Sequence, residues 1–256
     1  MRSFSSLLVR GLLVGLFAGL LAGTFAYVMG EPHIDAAIAI EEAADSAHTH
    51  SDESALAEQE AEEEAGEEEL VSRAGQRAGL FLATSLYGVA LGGVFAVGFA
   101  LLRRRLRTPS DGFAALGLAA AGFLGIVLVP FLKYPPNPPA VGDPETITRR
   151  TVTYLLTIVL GLLAVWLAVW VSRRAPAQPD WLRPAAGVAA FVATVVVAYL
   201  VLPAVNEVPG DFPAVLLWQF RLSSLGTQVV LWSLLGLGYA ASLSRFRVAE
   251  REPADV

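Results

Sequence analysis

LLVRGLLVGLFAGLLAGTFAYVM, residues Leu7–Met29, decides the fold. An α-helix crossing a hydrocarbon core of roughly 30 Å needs about 20 apolar residues, and this run supplies them with one charge, Arg10, near its start. Gly11, Gly15, Gly19 and Gly23 recur within it at four-residue spacing. That spacing lines one helix face with a stripe lacking side chains, against which a second helix can approach closely. A cleaved signal peptide also begins with basic residues and an apolar run, but its core is usually only about 7–15 residues and has no use for such a stripe. The segment is therefore expected to be a retained first span.

Five further runs of similar length and apolarity follow, giving expected spans over 7–29, 78–102, 113–132, 152–171, 185–202 and 222–242. The second run is also glycine-rich (Gly79, Gly88, Gly92, Gly93, Gly98), so close packing of the first two spans is expected. The fold class is thus an all-α membrane protein, a polytopic bundle of six transmembrane helices in a single membrane domain. Composition agrees: 55% of the 256 residues are hydrophobic and 16% charged, too apolar for a soluble domain with a wet surface.

Six spans place both termini on one side, and the arginines say which. With the N-terminus inside, 12 of the 18 basic residues fall on cytoplasmic segments, among them Arg103, Arg104, Arg105, Arg107, Arg173 and Arg174. The positive-inside bias therefore predicts N-in and C-in. The formal charge of −6 averages two unlike regions, because residues 52–69 alone hold ten carboxylates and the remainder is mildly basic. No nucleic-acid partner is implied. With no cysteine there is no thiolate site. Nor is there a phosphate-cradling loop ending in Gly-Lys-Ser/Thr; the one lysine, Lys133, lies in a proline-rich segment. Uphill transport would draw on an ion gradient or a partner.

No carboxylate or histidine sits deep in any span, so the usual mark of a buried ion path is missing. The distinctive polar residues collect instead on the expected outer side, in four clusters. The first is Glu31-Pro32-His33-Ile34-Asp35 and on to Glu42. Pro32 suits a first helical turn, and at about 100° per residue Glu31, Asp35, Ile38, Glu42 and Asp45 share one stripe, with His33 opposite. Such a stripe can offer several oxygens to a divalent cation; it equally describes an amphipathic helix lying on the membrane surface. His48-Thr49-His50 forms the second cluster, opening the acidic segment 43–70. Two imidazoles spaced by one residue can chelate a borderline cation such as Co²⁺, Ni²⁺ or Zn²⁺, while the glutamates around them read as a solvated loop, disordered or loosely helical.

The third cluster, PFLKYPPNPPAVGDPETITRR (130–150), holds six prolines and is expected to form a stiff cover over the helix ends, carrying Lys133, Tyr134, Asn137, Asp143 and Glu145. The fourth, LPAVNEVPGDFPAVLLWQFR (202–221), bears Asn206, Glu207 and Asp211. Arg221 either pairs, part-buried, with one of these acids or follows an interfacial segment Phe212–Phe220, the last span then starting near Leu222.

GEPHIDAAIAIEE, VSRAGQRAGLFLATSLYGVALGG, PFLKYPPNPPAVGDPETITRRT and LPAVNEVPGDFPAVLLWQFRLSSLGTQ together span most of the chain. In these segments the sequence resembles the predicted cobalt transporter subunit CbtA family of bacterial membrane proteins; the acidic tract 52–69 lies outside the resemblance. The resemblance implies a part in cobalt uptake, Co²⁺ as substrate rather than a permanently bound cofactor, a small single-span partner of the CbtB type, and a link to cobalamin supply. It supplies no ligand residues. From the residues themselves the candidate metal ligands are Glu31, His33, Asp35, Glu42, His48 and His50, with Glu207, Asp211, Arg221 and Lys133 as further candidates. A non-transporting membrane scaffold or metal-sensing partner is the rival reading. An intramembrane enzyme is not indicated, since no His-Glu-x-x-His occurs and no carboxylate pair lies at membrane depth.

Overall fold

The computed structural model describes residues 3–49, 72–106, 108–139, 141–142, 144–177 and 179–249. The described chain is all-helical: α1 (Phe4–Met29), α2 (Glu31–Thr49), α3 (Arg73–Leu102), α4 (Asp111–Lys133), α5 (Ile147–Arg174), α6 (Leu182–Val201) and α7 (Ala214–Ala249). All but α2 are long and apolar enough to cross a membrane. Local chemistry sets several ends. Ser3, Ser72 and Ser110 cap α1, α3 and α4 by accepting from the amides of Ser6, Gly75 and Phe113. Pro135 and Pro136 follow the end of α4, and Arg173 and Arg174 complement the negative end of the α5 dipole.

The glycine stripe does what its spacing predicts. A Cβ on Gly15 would lie 2.1 Å from the Gly88 carbonyl oxygen, and one on Gly92 would lie 2.1 Å from that of Gly11. Gly19 is equally tight, against the Thr84 carbonyl at 2.3 Å. Backbone meets backbone along most of both helices, so α1 and α3 have little freedom to slide or rotate. Around this pair α4 and α7 complete the core, which is built from small and aromatic residues such as Ala18, Ala115, Phe95, Phe99, Trp232 and Tyr239. Tyr239 is fully buried; its ring meets Phe95 and Phe99 edge-on at 5.2 Å and its hydroxyl donates to the Leu7 carbonyl at 3.2 Å. A phenol inside a membrane bundle needs such an acceptor.

Helices α5 and α6 form an outlying pair joined to this core through a second glycine contact. Within α4, residues Phe123–Leu128 widen into a π-helical turn, the amide of Val129 reaching back to Leu124. Pro130, next in line, has no amide and its ring would collide with the preceding turn of a regular helix, which accounts for the widening. Gly125 in that turn abuts Gly161 of α5, where a Cβ would come 2.2 Å from the Gly125 carbonyl. Much of the remaining apolar surface, including Leu86, Val94, Leu155, Val159, Leu200 and Val201, is exposed, as faces bathed in lipid require.

Two boundaries differ from expectation. Helix α7 begins at Ala214, not near Leu222, so Phe212–Phe220 is no separate interfacial segment. Phe212 is buried instead, with Ala37 of α2, Val141 of the first proline-rich segment and Leu217 of α7. Burying this apolar cluster makes the early start of α7 worthwhile. Helix α2 extends through Thr49, taking in the beginning of the segment expected to be disordered; residues 50–70 lie outside those described.

The glycine contact yields a sharp prediction. Gly15→Ala or Gly88→Ala should cost about 1–3 kcal/mol of stability, because overpacking here meets rigid backbone. Gly79→Ala on the same α3 helix, with nothing within 4 Å, should leave the melting temperature unchanged or slightly raised. Thermal unfolding of the three variants in one detergent checks the difference.

Candidate functional site

The polar chemistry is concentrated at one end of the bundle, where α2, the two proline-rich segments and the first turns of α3, α5 and α7 meet. We refer to it as the cap. It has two parts.

The first is a four-charge clamp. Glu31 and Asp35 stand one turn apart on α2, and Arg73 and Arg77 one turn apart on α3, so the two i, i+4 pairs face each other. Arg73 donates to Glu31 at 3.1 Å and also to Asp35; Arg77 donates to Asp35 at 2.9 Å and to Glu31 at 3.4 Å. Each carboxylate thus meets both guanidinium groups and the four charges cancel. The Glu31 side chain is only 10% exposed, while the Asp35 side chain is 43% exposed, so the clamp is dry at one end and wet at the other. Hydrogen bonding from Arg73, reinforced by both guanidinium charges, holds the Asp35 carboxyl below its ordinary value of 3.8.

The second part is a cavity of about 410 Å³ beneath the proline-rich segments, with Tyr134, Asn137, Arg150, Tyr154, Glu207 and Arg221 among its walls. Arg150 pairs with Glu207 at 3.0 Å, and the Thr146 hydroxyl also donates to that carboxylate. Gly142 makes room for this: its φ of +146° suits glycine, and a Cβ would lie 2.7 Å from the Arg150 guanidinium. Arg221 donates to the Pro136 carbonyl at 3.3 Å and to Asn137 Oδ1 at 2.9 Å. Tyr134 donates to the Pro203 carbonyl at 2.7 Å, tying one proline-rich segment to the other. That hydrogen bond joins the two segments across the cavity.

The candidate residues are brought together only in part. Glu31 and Asp35 share a site, but with arginines. His33 lies half-buried, and its Nδ1 is buried with no hydrogen-bond partner. Glu42 is exposed farther along α2, His48 belongs to the last turn of that helix, and His50 lies outside the described residues. Among the described residues no three His, Asp or Glu side chains converge as a metal cage would require. Glu207 is in the cavity wall and Asp211 is exposed. Arg221 is part-buried but does not pair with either acid, and that expectation is corrected: Arg150 reaches Glu207 first, leaving Arg221 to the loop carbonyl and Asn137. Lys133 curls toward the bundle, donating to the Tyr199 carbonyl at 3.0 Å and lying 5.9 Å from the centres of the Tyr134 and Tyr199 rings.

The roles of Arg73, Arg77 and Arg150 were not foreseen. For the first two a signal existed, since an acid pair at i, i+4 directly follows one glycine-striped helix and an arginine pair at i, i+4 opens the other. Span hydroxyls play a modest part: Thr24, Thr153 and Thr227 each donate to a carbonyl one turn back.

Because the folded Asp35 carboxyl is depressed, its contribution to docking α2 is whole above the ordinary carboxylate value and is lost as pH falls through the lower, folded one. Amide protection factors across α2, the intrinsic exchange rate divided by the observed one at each pH, should therefore be flat between about pH 7 and about pH 5 and fall only below about pH 4. Asp35→Asn should show faster exchange already at pH 7.

Neither a curated protein nor a solved structure matches this chain. A family described as "Probable cobalt transporter subunit (CbtA)" matches residues 4–244, from the first helix almost to the end of the last and across the whole cap. The chain belongs to that family of probable cobalt transporter subunits.

Proposed function

We propose that this chain is the membrane-embedded subunit of a cobalt uptake system in the bacterial plasma membrane, with the cap facing outward. The observation that carries the reading is the family match over residues 4–244, joined to a fold of six membrane-crossing helices. Arginines gather at the end opposite the cap, among them Arg103, Arg104, Arg173 and Arg174, and this charge bias supports an outward cap. A small single-span partner of the CbtB type completes the unit, whose cargo serves cobalamin supply.

In this reading His48, His50 and the glutamates that follow raise the local cation concentration. Glu31, His33, Asp35 and Glu42 are the next stage. Carboxylate oxygens and imidazole nitrogens suit Co²⁺ and Ni²⁺ alike. With Arg73 and Arg77 in place, Glu31 and Asp35 already accept from both guanidinium groups. A cation takes those oxygens only as the arginines withdraw, so metal capture and release of α2 from α3 are one event. The unpartnered Nδ1 of His33 supports a nitrogen ligand on the same helix.

Cells carrying the chain and its partner should accumulate several-fold more cobalt at limiting external concentration than cells lacking both. Equal accumulation would overturn the proposal. One observation favours a second reading, a scaffold or metal sensor: no three metal-ligating side chains converge among the described residues. Under that reading Glu31→Gln, His33→Ala and Asp35→Asn leave cobalt flux unchanged and alter only recovery of the partner in pull-down.

A further inference from the structure

The cavity between the proline-rich segments has the wrong electrostatics for a bare cation. Among the described residues its walls carry Arg150, Arg221 and Glu207, which sum to one positive charge. Arg150 is compensated by Glu207 at 3.0 Å. Arg221 is not: among the described residues no carboxylate lies within 4.0 Å of it, and its hydrogen bonds go to one backbone carbonyl and one amide oxygen. A guanidinium has five N–H donors in a planar fork. Two are used, which leaves three on a part-buried cation at a cavity wall. Asn137 adds to the surplus, because its Oδ1 is taken by Arg221 while its amide nitrogen keeps two donors of its own.

A site with excess donors and excess positive charge calls for an acceptor that is anionic. The planar fork of Arg221 matches the two oxygens of a carboxylate. The rest of the wall is mixed, with Thr151, Tyr154 and Asn206 beside Ile147, Leu155 and Val208, and the volume of about 410 Å³ is that of a small-molecule site rather than a single-ion site. We infer that the cap cavity binds a small organic carboxylate, seated on Arg221 and Asn137. Two sources offer that chemistry, a free organic acid and a carboxylate chelate of a divalent cation. The inference stands on the cavity's own charges and survives failure of the cobalt reading. Binding of the chelate would extend that reading, by making the complexed ion the form that reaches the cap.

The test is calorimetric titration of the full chain in lipid nanodiscs with citrate, with equimolar Co²⁺–citrate, with CoCl₂ alone and with inorganic phosphate. Citrate or its cobalt complex should bind, phosphate should bind at least about 10-fold more weakly, and Arg221→Gln should weaken the carboxylate by about 10-fold or more, the order expected for a charged hydrogen-bonded contact. Asn137→Ala, in a loop, should weaken it less. Glu207→Gln raises the cavity charge from one to two and should tighten binding, an effect of opposite sign that general loosening of the fold would not produce. Preference for the complex over free citrate identifies the chelate as the source; the reverse preference identifies the free acid. Absence of binding by both, equal binding of phosphate, unchanged affinity in Arg221→Gln, or weakening in Glu207→Gln would each overturn the inference. The CoCl₂ arm reads cation binding elsewhere on the chain, so a failed cobalt reading and a failed carboxylate site are told apart.

Discussion

The contact between the glycines of α1 and α3 is the constraint on which the rest depends. In a membrane there is little hydrophobic gain in bringing two helices together, because lipid is as apolar as leucine. Close backbone approach is what lets dispersion contacts accumulate. Here the approach is so close that Gly15 and Gly88, like Gly11 and Gly92, tolerate no side chain at all. Such a contact admits one register. Helix α2 leaves the end of α1 after Gly30, so the same register sets where Glu31 and Asp35 stand relative to Arg73 and Arg77 on α3. With α2 held there, Ala37 packs on Val141, Phe212 and Leu217, and those residues belong to the segments that wall the cavity or adjoin it. A stripe of missing side chains near the start of the chain is thereby connected to the geometry of a site formed near its end.

This arrangement separates two tasks. The spans are built for packing, from glycine, alanine and aromatic residues, and threonine hydroxyls such as those of Thr153, Thr157 and Thr227 are turned back onto their own helices. Polar recognition is confined to the cap, where water reaches one end of the clamp and charged groups are not stranded in lipid. The two cap sites also differ in sign: the clamp is neutral with its acids engaged, and the cavity is positive.

Much of the fold was legible in advance because its causes are one-dimensional. Span length, glycine spacing and the start of α2 at Glu31, with Pro32 in its first turn, follow from composition and periodicity, and the six membrane helices stand where the apolar runs lie. What could not be read depends on pairing in space. The early start of α7 reflects burial of Phe212 against Ala37 and Val141, two residues far away in sequence. Arg221 was expected to pair with one of the acids of its own segment, yet Arg150 takes Glu207, with its guanidinium lying against Gly142. The carboxylate stripe on α2 was visible, but whether it faced cations of solution or of the protein turned on the register of α1 and α3. His50 and the acidic tract lie outside the described residues.

A reciprocal charge exchange tests that register most directly. Reversing only α2 (Glu31→Arg with Asp35→Arg) or only α3 (Arg73→Glu with Arg77→Glu) places four like charges together, and either should lower the melting temperature in detergent. If the glycine contact fixes which residues meet, the fourfold variant with both sides reversed should recover most of the loss. A fourfold variant as unstable as the one-sided reversals would show that these groups are not held face to face, and would contradict the account.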